Sequence, residues 1–340
     1  MKKKILTLFL TGSVLFSIAG CGKNSTDETS AEPKIVKIAA TQSNGLLGEL
    51  SGIAQEKKYI EEELEKINYK PEYVGFAGAG PAINEAFVAK NIDFANYGDL
   101  PAVVLKSKGI GVSVIAVSNP IINYSVVVQK DSDIKTISDL KGKKVIVPKG
   151  TVIQYYFEQL LKANNVNSND VKPINAVADA QSVFASKEAD AIAYVDSFSR
   201  VLVQKDLGEI LPASTTEDHP DWTSQFIFAG RDEYMKENPE VAVALLKAHI
   251  RAKEFVDNNP DESFQIISKG GLPLDIVTEI YSTKGGKFEN YNIEITDDSI
   301  KRLKDLNDFL LSQKLISTSA KIDEFIDVSY YEKALKELKN

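Results

Sequence analysis

Residues 81–102 read PAINEAFVAKNIDFANYGDLPA, and this stretch decides how the chain is organised. Its first half predicts a helix that begins at Pro81, because apolar residues recur there at helical spacing and proline suits the first turn. A short strand over 91–95 follows. Tyr97-Gly98-Asp99 is then predicted to be a polar turn ahead of another helix near 100–107. A helix, a strand, a turn and a helix in this order are typical of an α/β protein.

The same alternation continues on both sides of this stretch. Strands are predicted over 35–40, 70–76, 111–117, 124–128, 144–148, 171–174, 190–195, 209–211 and 225–229. Helices separate most of these strands, and a single helix that ends with residues 58–67 follows the first strand. A helix that starts at Pro239 opens a strongly helical end of the chain, with more helices near 261–268, 273–282, 297–312 and 329–338. His249 falls inside one of these helices, so we expect it to pack in the core or on the surface. Such alternation predicts mostly parallel sheets with helices on both faces.

Two stretches without periodicity, Ser118–Asn123 and Ser214–Ser224, divide this alternation. We therefore predict an α/β fold of two doubly wound lobes joined by two hinge crossings. Lobe I is predicted to take residues 34–119 and 224–340, and lobe II, inserted between them, residues 120–223. Trp222 lies in the second crossing, where we expect it to pack at the hinge instead of closing over a ligand.

The first residues have the pattern of an export signal. Three lysines precede an apolar stretch over 5–19 that is too short for a comfortable membrane span. Ile18-Ala19-Gly20-Cys21 then resembles a bacterial lipobox, which implies cleavage of residues 1–20 and lipid attachment at Cys21. Residues 21–33 are short and polar, as in a flexible tether. We expect an extracytoplasmic body that is anchored to the cell membrane by a lipid and does not span it.

Composition excludes several classes of protein. One cysteine excludes an intramolecular disulfide, and two distant histidines, His219 and His249, make a zinc site improbable. Without residues 1–20 the chain has 37 basic against 48 acidic residues, which argues against nucleic acid as a partner. The motifs G-x-S-x-G, H-E-x-x-H, G-x-G-x-x-G and the P-loop are absent, so we expect binding without a cofactor or metal, and no enzyme.

Four polar turns that contain glycine follow predicted strands. They are Gln42-Ser43-Asn44-Gly45, Ala77-Gly78-Ala79-Gly80, Tyr97-Gly98-Asp99 and Lys149-Gly150-Thr151. In open α/β sheets such turns collect at the carboxyl ends of the strands, where ligands bind. Each following helix presents unpaired amides and the positive end of its dipole, which favours an anion. The alternative, that α/β proteins simply need glycine at turns, stays open for each turn taken alone.

Three segments in this order resemble one family of transport proteins. They are PAINEAFVAKNIDFANYGDLPA, ISDLKGKKVIVPKGT and ADAIAYVDSFSR, and together they resemble substrate-binding proteins for aliphatic sulfonates, taurine and nitrate. The resemblance covers roughly residues 35–335. It implies a type II periplasmic-binding-protein fold, whose lobes close on a small ligand and deliver it to an ABC permease and its ATPase. A related enzyme of thiamin-pyrimidine synthesis relies on a histidine and a cysteine-rich motif that this chain lacks.

The resemblance also implies which residues bind the ligand. They are Gln42, Ser43, Asn44, Gly78, Ala79, Gly80, Tyr97, Gly98, Asp99, Gly150, Thr151, Gln154, Tyr155, Tyr194, Asp196 and Ser197. Backbone amides at Gly80, Gly98 and Thr151 would bind the anion, with further hydrogen bonds from the Ser43 and Thr151 hydroxyls. The rings of Tyr97, Tyr155 and Tyr194 would cover apolar parts of the ligand. Asp196 would either accept a hydrogen bond from a ligand amine or cap the next helix.

The sequence therefore predicts a monomeric, lipid-anchored protein that binds a small organic anion, such as an aliphatic sulfonate, for an ABC importer. The family often has tryptophan near Tyr194 and Asp-Pro where this chain has Asp196-Ser197. These departures keep an aromatic acid or a thiamin-pyrimidine-like heterocycle open as the ligand. A lipid-anchored sensory or partner-binding protein on the same fold is the other alternative.

Overall fold

The computed structural model describes residues 32–217, 219–282 and 291–339. The predicted signal peptide over 1–20, Cys21 and most of the predicted tether lie outside the described residues. Within the described part of the chain, no helix combines the length and the apolar character needed to cross a membrane.

Ten strands form two five-stranded sheets. The first sheet contains β1 Lys34–Ala40, β2 Tyr69–Gly75, β3 Phe94–Gly98, β4 Val112–Ile122 and β10 Ser224–Arg231, in the spatial order β2-β1-β3-β10-β4. The second contains β5 Tyr124–Gln129, β6 Lys144–Ile146, β7 Lys172–Ile174, β8 Ala191–Val195 and β9 Gly208–Ile210, in the order β7-β6-β8-β5-β9. The first sheet thus draws strands from two separate stretches of the chain, while the second uses only the stretch between them.

Helices connect these strands and cover the sheets. They are α1 Glu49–Glu56, α2 Tyr59–Glu65, α3 Ala79–Val88, α4 Asp99–Ser107, α5 Val152–Ala163, α6 Ala180–Ala185, α7 Asp196–Gln204, α8 Asp232–Glu237, α9 Pro239–Asn258, α10 Pro260–Ser268, α11 Leu274–Ser282, α12 Asp297–Ser312 and α13 Ser329–Leu338. Short 3-10 turns span Ile137–Leu140, Ser168–Asp170, Pro220–Trp222 and Ile322–Glu324. The sequence did not predict α8, and it predicted one helix where α1 and α2 are separated at Lys58, whose φ is +59°.

Helices on both faces of the first sheet account for its nearly continuous apolar strands. Successive residues of β1 show this: Ile38 and Ala40 pack with α1, α2 and α9, whereas Ala39 packs with α3 and α4 on the opposite face. The cluster around Ala39 continues through β5 and α5 of the second sheet. One apolar cluster therefore joins the two lobes behind the hinge.

Each sheet has four strands in one direction and one reversed strand. In the first sheet β10 runs antiparallel to β3 and β4, and in the second sheet β5 runs antiparallel to β8 and β9. Each reversed strand is the first one after a crossing between the lobes. The chain leaves one sheet at the carboxyl ends of its strands and keeps its direction as it enters the other sheet. The entering strand therefore starts at the edge where its neighbours end, and it runs antiparallel to them. The predicted parallel sheets are thus each interrupted by the entering strand.

The first crossing differs from its prediction. Ser118-Asn119-Pro120 was expected to end the strand, yet β4 continues to Ile122 and stays paired with β10. The register shifts between Ser224 and Phe226 of β10, and this irregularity admits Pro120, which has no N–H to donate to a regular ladder. Only Asn123 separates β4 from β5, so the crossing is almost one bent strand.

Hydrogen bonds fasten the two crossings to each other. Thr216 Oγ1 accepts from the Tyr124 backbone N–H at 3.0 Å and donates to Asn123 Oδ1 at 2.9 Å. The Tyr124 hydroxyl also bonds to the Ser224 hydroxyl. Trp222 is buried in the cluster that joins the lobes, where it stacks on His219, in line with its expected packing at the hinge.

His249 packs in the core, which is one of the two placements expected of it within a helix. Its Nδ1 is 2.7 Å from the Leu245 carbonyl oxygen and its Nε2 is 2.8 Å from the Ser51 hydroxyl, so the neutral ring uses both nitrogens to join α9 and α1. Burial lowers the pKa of His249 to about 4.

This lowered pKa predicts acid sensitivity. Between pH 6.5 and 4 the unfolded chain takes up a proton on His249 that the folded chain does not, so the free energy of unfolding falls as pH drops through this window. We expect the wild type to lose about 2–3 kcal/mol more than a His249→Gln variant between pH 7 and pH 4. Urea unfolding at several pH values measures both slopes, and equal slopes would contradict the assignment.

Candidate ligand-binding cleft

The carboxyl ends of strands from both sheets line a single cleft. Its volume is about 770 Å³, within the range of small-molecule sites. Residues at or just beyond the ends of β1, β3, β4, β6 and β8 contribute to its wall. Much of the remaining wall is apolar, with Leu46, Leu47, Ile53, Ile121, Ile122, Ile153, Phe198, Phe226, Ile266, Ile267, Leu272 and Ile280.

Five helices begin at this cleft. The first residues of α1, α3, α5 and α7 line it, and so does Gly98, the residue before α4. First-turn amides have no partner within their own helix, and the helix dipole places partial positive charge at the same end. Several such ends around one cleft can bind an anion without a basic side chain.

Glycines allow the two lobes to approach each other closely beside the cleft. A Cβ atom added at Gly98 would lie 2.7 Å from Cγ1 of Val152 in α5, on the opposite lobe. One added at Gly150, whose φ is +71°, would lie 3.3 Å from Cγ of Pro81 in α3. Both glycines therefore stand where one lobe meets the other.

Polar contacts join the lobes across the mouth of the cleft. Arg200 of α7 contacts Glu279 of α11 at 2.6 Å, and Gln204 Nε2 donates to Asp275 Oδ2 at 2.7 Å. At the back of the hinge, the Tyr155 ring packs edge-on against Phe309 of α12, with centroids 4.9 Å apart. Contacts on both sides of the cleft hold the lobes around it.

Half of the residues named from the sequence line this cleft. They are Gln42, Ala79, Gly80, Gly98, Thr151, Tyr194, Asp196 and Ser197. The Thr151 hydroxyl donates to the Pro148 carbonyl at 2.8 Å, so the hydroxyl serves the turn before α5. Ligand contacts at these positions stay a prediction.

Tyr97 and Asp99 do not face the cleft. The predicted turn at 97–99 is absent, because β3 runs directly into α4 and its pleat turns Tyr97 away from the side on which Gly98 lies. The Tyr97 ring is fully buried near Phe87, with centroids 6.0 Å apart, so we correct the expectation that it covers a ligand. Asp99 accepts from the Leu100 and Gln225 backbone N–H groups at 2.8 and 3.2 Å.

The other predicted residues also lie outside the cleft wall. Ser43, Asn44 and Gly78 are exposed beside it, and Asn44 Oδ1 accepts from the Leu46 N–H at 3.1 Å. Gln154 Oε1 accepts from the Gly150 N–H at 2.9 Å, which shapes the turn before α5. These residues support the loops of the cleft, whereas the sequence predicted that they contact the ligand.

A smaller pocket of about 210 Å³ lies at the hinge and shares Val152, Pro220 and Thr223 with the cleft wall. Asp99 and Tyr155 line it together with Arg302, which bonds to Thr223. Burial raises the pKa of Asp99 to about 7, against the lowering effect of its backbone hydrogen bonds and of Arg302. The Tyr155 hydroxyl donates to the Asp221 carbonyl at 3.1 Å, so both predicted residues brace the hinge.

Two predicted side chains of the cleft already have protein partners. Asp196 accepts from the Ser125 hydroxyl at 3.0 Å and from Arg200 Nε at 2.7 Å. Tyr194 OH accepts from Gln181 Nε2 at 3.3 Å. Asp196 does not cap α7 through its side chain, which instead links this helix to β5 through Ser125. A contact with a ligand amine stays a prediction.

Sequence reasoning missed Glu49, which lines the cleft at the start of α1. Its carboxylate accepts from the Tyr281 hydroxyl and from the Asn119 side chain. Burial raises the pKa of Glu49 to about 7, and the Asn119 hydrogen bond opposes this rise. Only the pair Gly48-Glu49 ahead of a helical stretch could have signalled this residue, because its partners are distant in sequence.

Comparison with known proteins places these features in a family. A family model described as NMT1/THI5 like matches residues 53–263. A protein of Bacillus subtilis (strain 168), provisionally named an aliphatic sulfonates-binding protein, is 27% identical, over 99% of this chain and 98% of its own length.

Solved structures confirm the predicted type II periplasmic-binding-protein fold. A provisionally assigned periplasmic sulfonate-binding protein SsuA from Methylobacillus flagellatus KT superimposes with a TM-score of 0.73 and 26% identity, covering 91% of this chain and 96% of its own. The desulfurization enzyme DSZB superimposes with a TM-score of 0.67 at 13% identity, covering 90% and 99%. The latter likeness shows the fold alone.

The close approach at Gly98 predicts a defect in lobe closure. Gly98→Ala places a methyl group against Val152, so we expect a larger distance between spin labels on the two lobes, with the fold retained. Val152→Ala in the same chain should restore the wild-type distance. Gly48→Ala is the control, since no atom lies within 4 Å of its added Cβ. An unchanged distance in Gly98→Ala would show that the lobes do not close at this point.

Proposed function

The chain belongs to the NMT1/THI5-like family, and from this premise we propose that it is an extracytoplasmic solute-binding protein of an ABC importer. The cleft between its lobes captures a small organic anion. The lobes then present the loaded cleft to a permease and its ATPase. Relatives whose names describe sulfonate-binding proteins support this role.

The observation that carries the proposal is the set of helix starts around one cleft. The first amides of α3 and α7 already donate to the Phe76 and Asn123 carbonyls. The amides that follow them, at Gly80 and Ser197, would supply hydrogen-bond donors from both lobes, together with those at the start of α5 and at Gly98. A sulfonate or carboxylate bound by donors of both lobes would stabilise the closed arrangement, since opening would remove half of its partners. Closure and binding are thereby coupled.

The size of the cleft favours a ligand with an apolar body. A volume of about 770 Å³ exceeds what a methyl or ethyl sulfonate fills, and the wall carries many aliphatic side chains and the Phe198 and Phe226 rings. We therefore propose a longer alkanesulfonate as the first candidate and an aromatic acid as the second. A pyrimidine is the third class to be tested.

We propose no enzymatic activity. The neighbour DSZB is an enzyme, so the fold alone does not separate binding from catalysis. In this chain the sole cysteine is Cys21, which we assign to lipidation. His249 is enclosed between α9 and α1 and does not line the cleft.

A ligand screen tests the proposed function. We expect the body over residues 24–340 to melt about 5 °C or more higher when a saturating alkanesulfonate or aromatic acid is present. Nitrate, taurine, pyrimidines and neutral analogues of each hit complete the panel, and titration calorimetry then gives the affinity. If no anion raises the melting temperature while a neutral or cationic compound does, the anion assignment is wrong. If no compound raises the melting temperature, the result favours the alternative that the protein binds a partner protein.

We also propose that a lipid on Cys21 anchors the protein to the cell membrane, because residues 18–21 resemble a lipobox. Cys21→Ser removes the thiol that accepts the lipid, so we expect the protein to move from the membrane fraction to the soluble fraction. Ser25→Ala, a change in the same polar segment, should stay with the membrane. Immunoblots of fractionated cells measure both, and membrane retention of Cys21→Ser would contradict the anchor.

A further inference from the structure

Glu49 differs from the other charged residues of the cleft in having no ion-pair partner among the described residues. Among the described residues, six charged side chains line it, namely Glu49, Glu56, Asp196, Glu217, Arg200 and Lys269. Lys269 pairs with Glu56, and Arg200 pairs with Asp196 and, at 3.4 Å, with Glu217. Within the described ranges, no lysine, arginine or histidine forms an ion pair with Glu49.

The surroundings of Glu49 suit a positively charged group. Tyr281 and Tyr291 also line the cleft, and their ring centroids are 5.8 Å apart. Both rings are buried and pack on each other, so they shield this part of the wall from water. A carboxylate that is partly removed from water is stabilised by an opposite charge. Burial raises the pKa of Glu49 to about 7, and the neutral Asn119 side chain is the partner that opposes this rise.

Glu49 has a left-handed backbone at the start of α1, with φ +53°. Its side chain does not cap α1; it bonds instead to Tyr281 and Asn119. These bonds hold the carboxylate at the cleft wall.

We propose that Glu49 forms a subsite for a positively charged nitrogen of the ligand. This inference rests on the proposed function, because the acid end of the same ligand is assigned to the helix amides. The transported solute then carries both an acid group and a basic nitrogen. Glu49 accepts hydrogen bonds from that nitrogen at the cleft wall.

A purely structural role for Glu49 makes a different prediction. If Glu49 only fastened α1 to α11 through Tyr281, its replacement would alter stability and affect ligands with and without an amine alike. Affinities for matched ligand pairs separate the two roles.

The experiment uses the full-length protein in detergent and two ligand pairs that differ only by an amine. The pairs are 3-aminopropanesulfonate with propanesulfonate, and 4-(aminomethyl)benzenesulfonate with 4-methylbenzenesulfonate. We expect the wild type to bind the amine member of at least one pair tenfold or more tightly, as for a hydrogen bond between charged groups. In Glu49→Gln this ratio should fall to about one, with little change for the ligand that lacks the amine. Glu262→Gln, an exposed residue outside the cleft wall, should keep the wild-type ratio.

The wild-type ratio is a test by itself and needs no variant. Equal affinities within both pairs, or a ratio that persists in Glu49→Gln, would overturn the subsite while leaving anion binding intact. Failure of all four compounds to bind the wild type would overturn the sulfonate assignment of the proposed function, and the subsite with it.

Discussion

The double crossing of the chain between its lobes is the constraint on which the rest of the structure depends. Because β4 runs into β5 with one residue between them, the carboxyl edges of the two sheets must face each other. Strands and helices that end or begin at these edges then converge on the same space. The bonds that tie Thr216 to Asn123 and Tyr124 make the crossings a defined hinge, so the cleft follows from the connectivity of the chain.

Under the proposed function, recognition in this cleft divides between backbone and side chains. The amides at the helix starts would bind the acid group that different ligands have in common, and they would not distinguish the remainder of the molecule. Discrimination must come from the wall, where aliphatic residues, Tyr194 and Glu49 differ in shape and charge. A carboxylate in a cleft that is assigned to anions would repel an anionic ligand, unless the ligand also carries a positive charge. This electrostatic argument motivates the assignment of Glu49 to a positively charged nitrogen.

Local patterns predicted the fold well and the site only in part. The helices over 297–312 and 329–338 have the predicted bounds, because their apolar faces and their ends depend on residues that are close together in the sequence. Tyr97 was misjudged because a strand continues where Asn, Gly and Asp suggested a turn, and only pairing with β10 reveals this. Glu49 escaped prediction for a similar reason: its orientation depends on a left-handed residue and on Tyr281, which lies 232 positions away.

The place of β10 has a consequence for how the protein is made. This strand sits between β3 and β4, yet it is encoded about a hundred residues after β4. As the chain emerges from its amino end, the second sheet has all its strands by residue 210, whereas the first must wait for residues 224–231 to fill a gap in its interior. The lobe that is begun first is therefore completed last. Until then, the apolar edges of β3 and β4 stay open to wrong pairing.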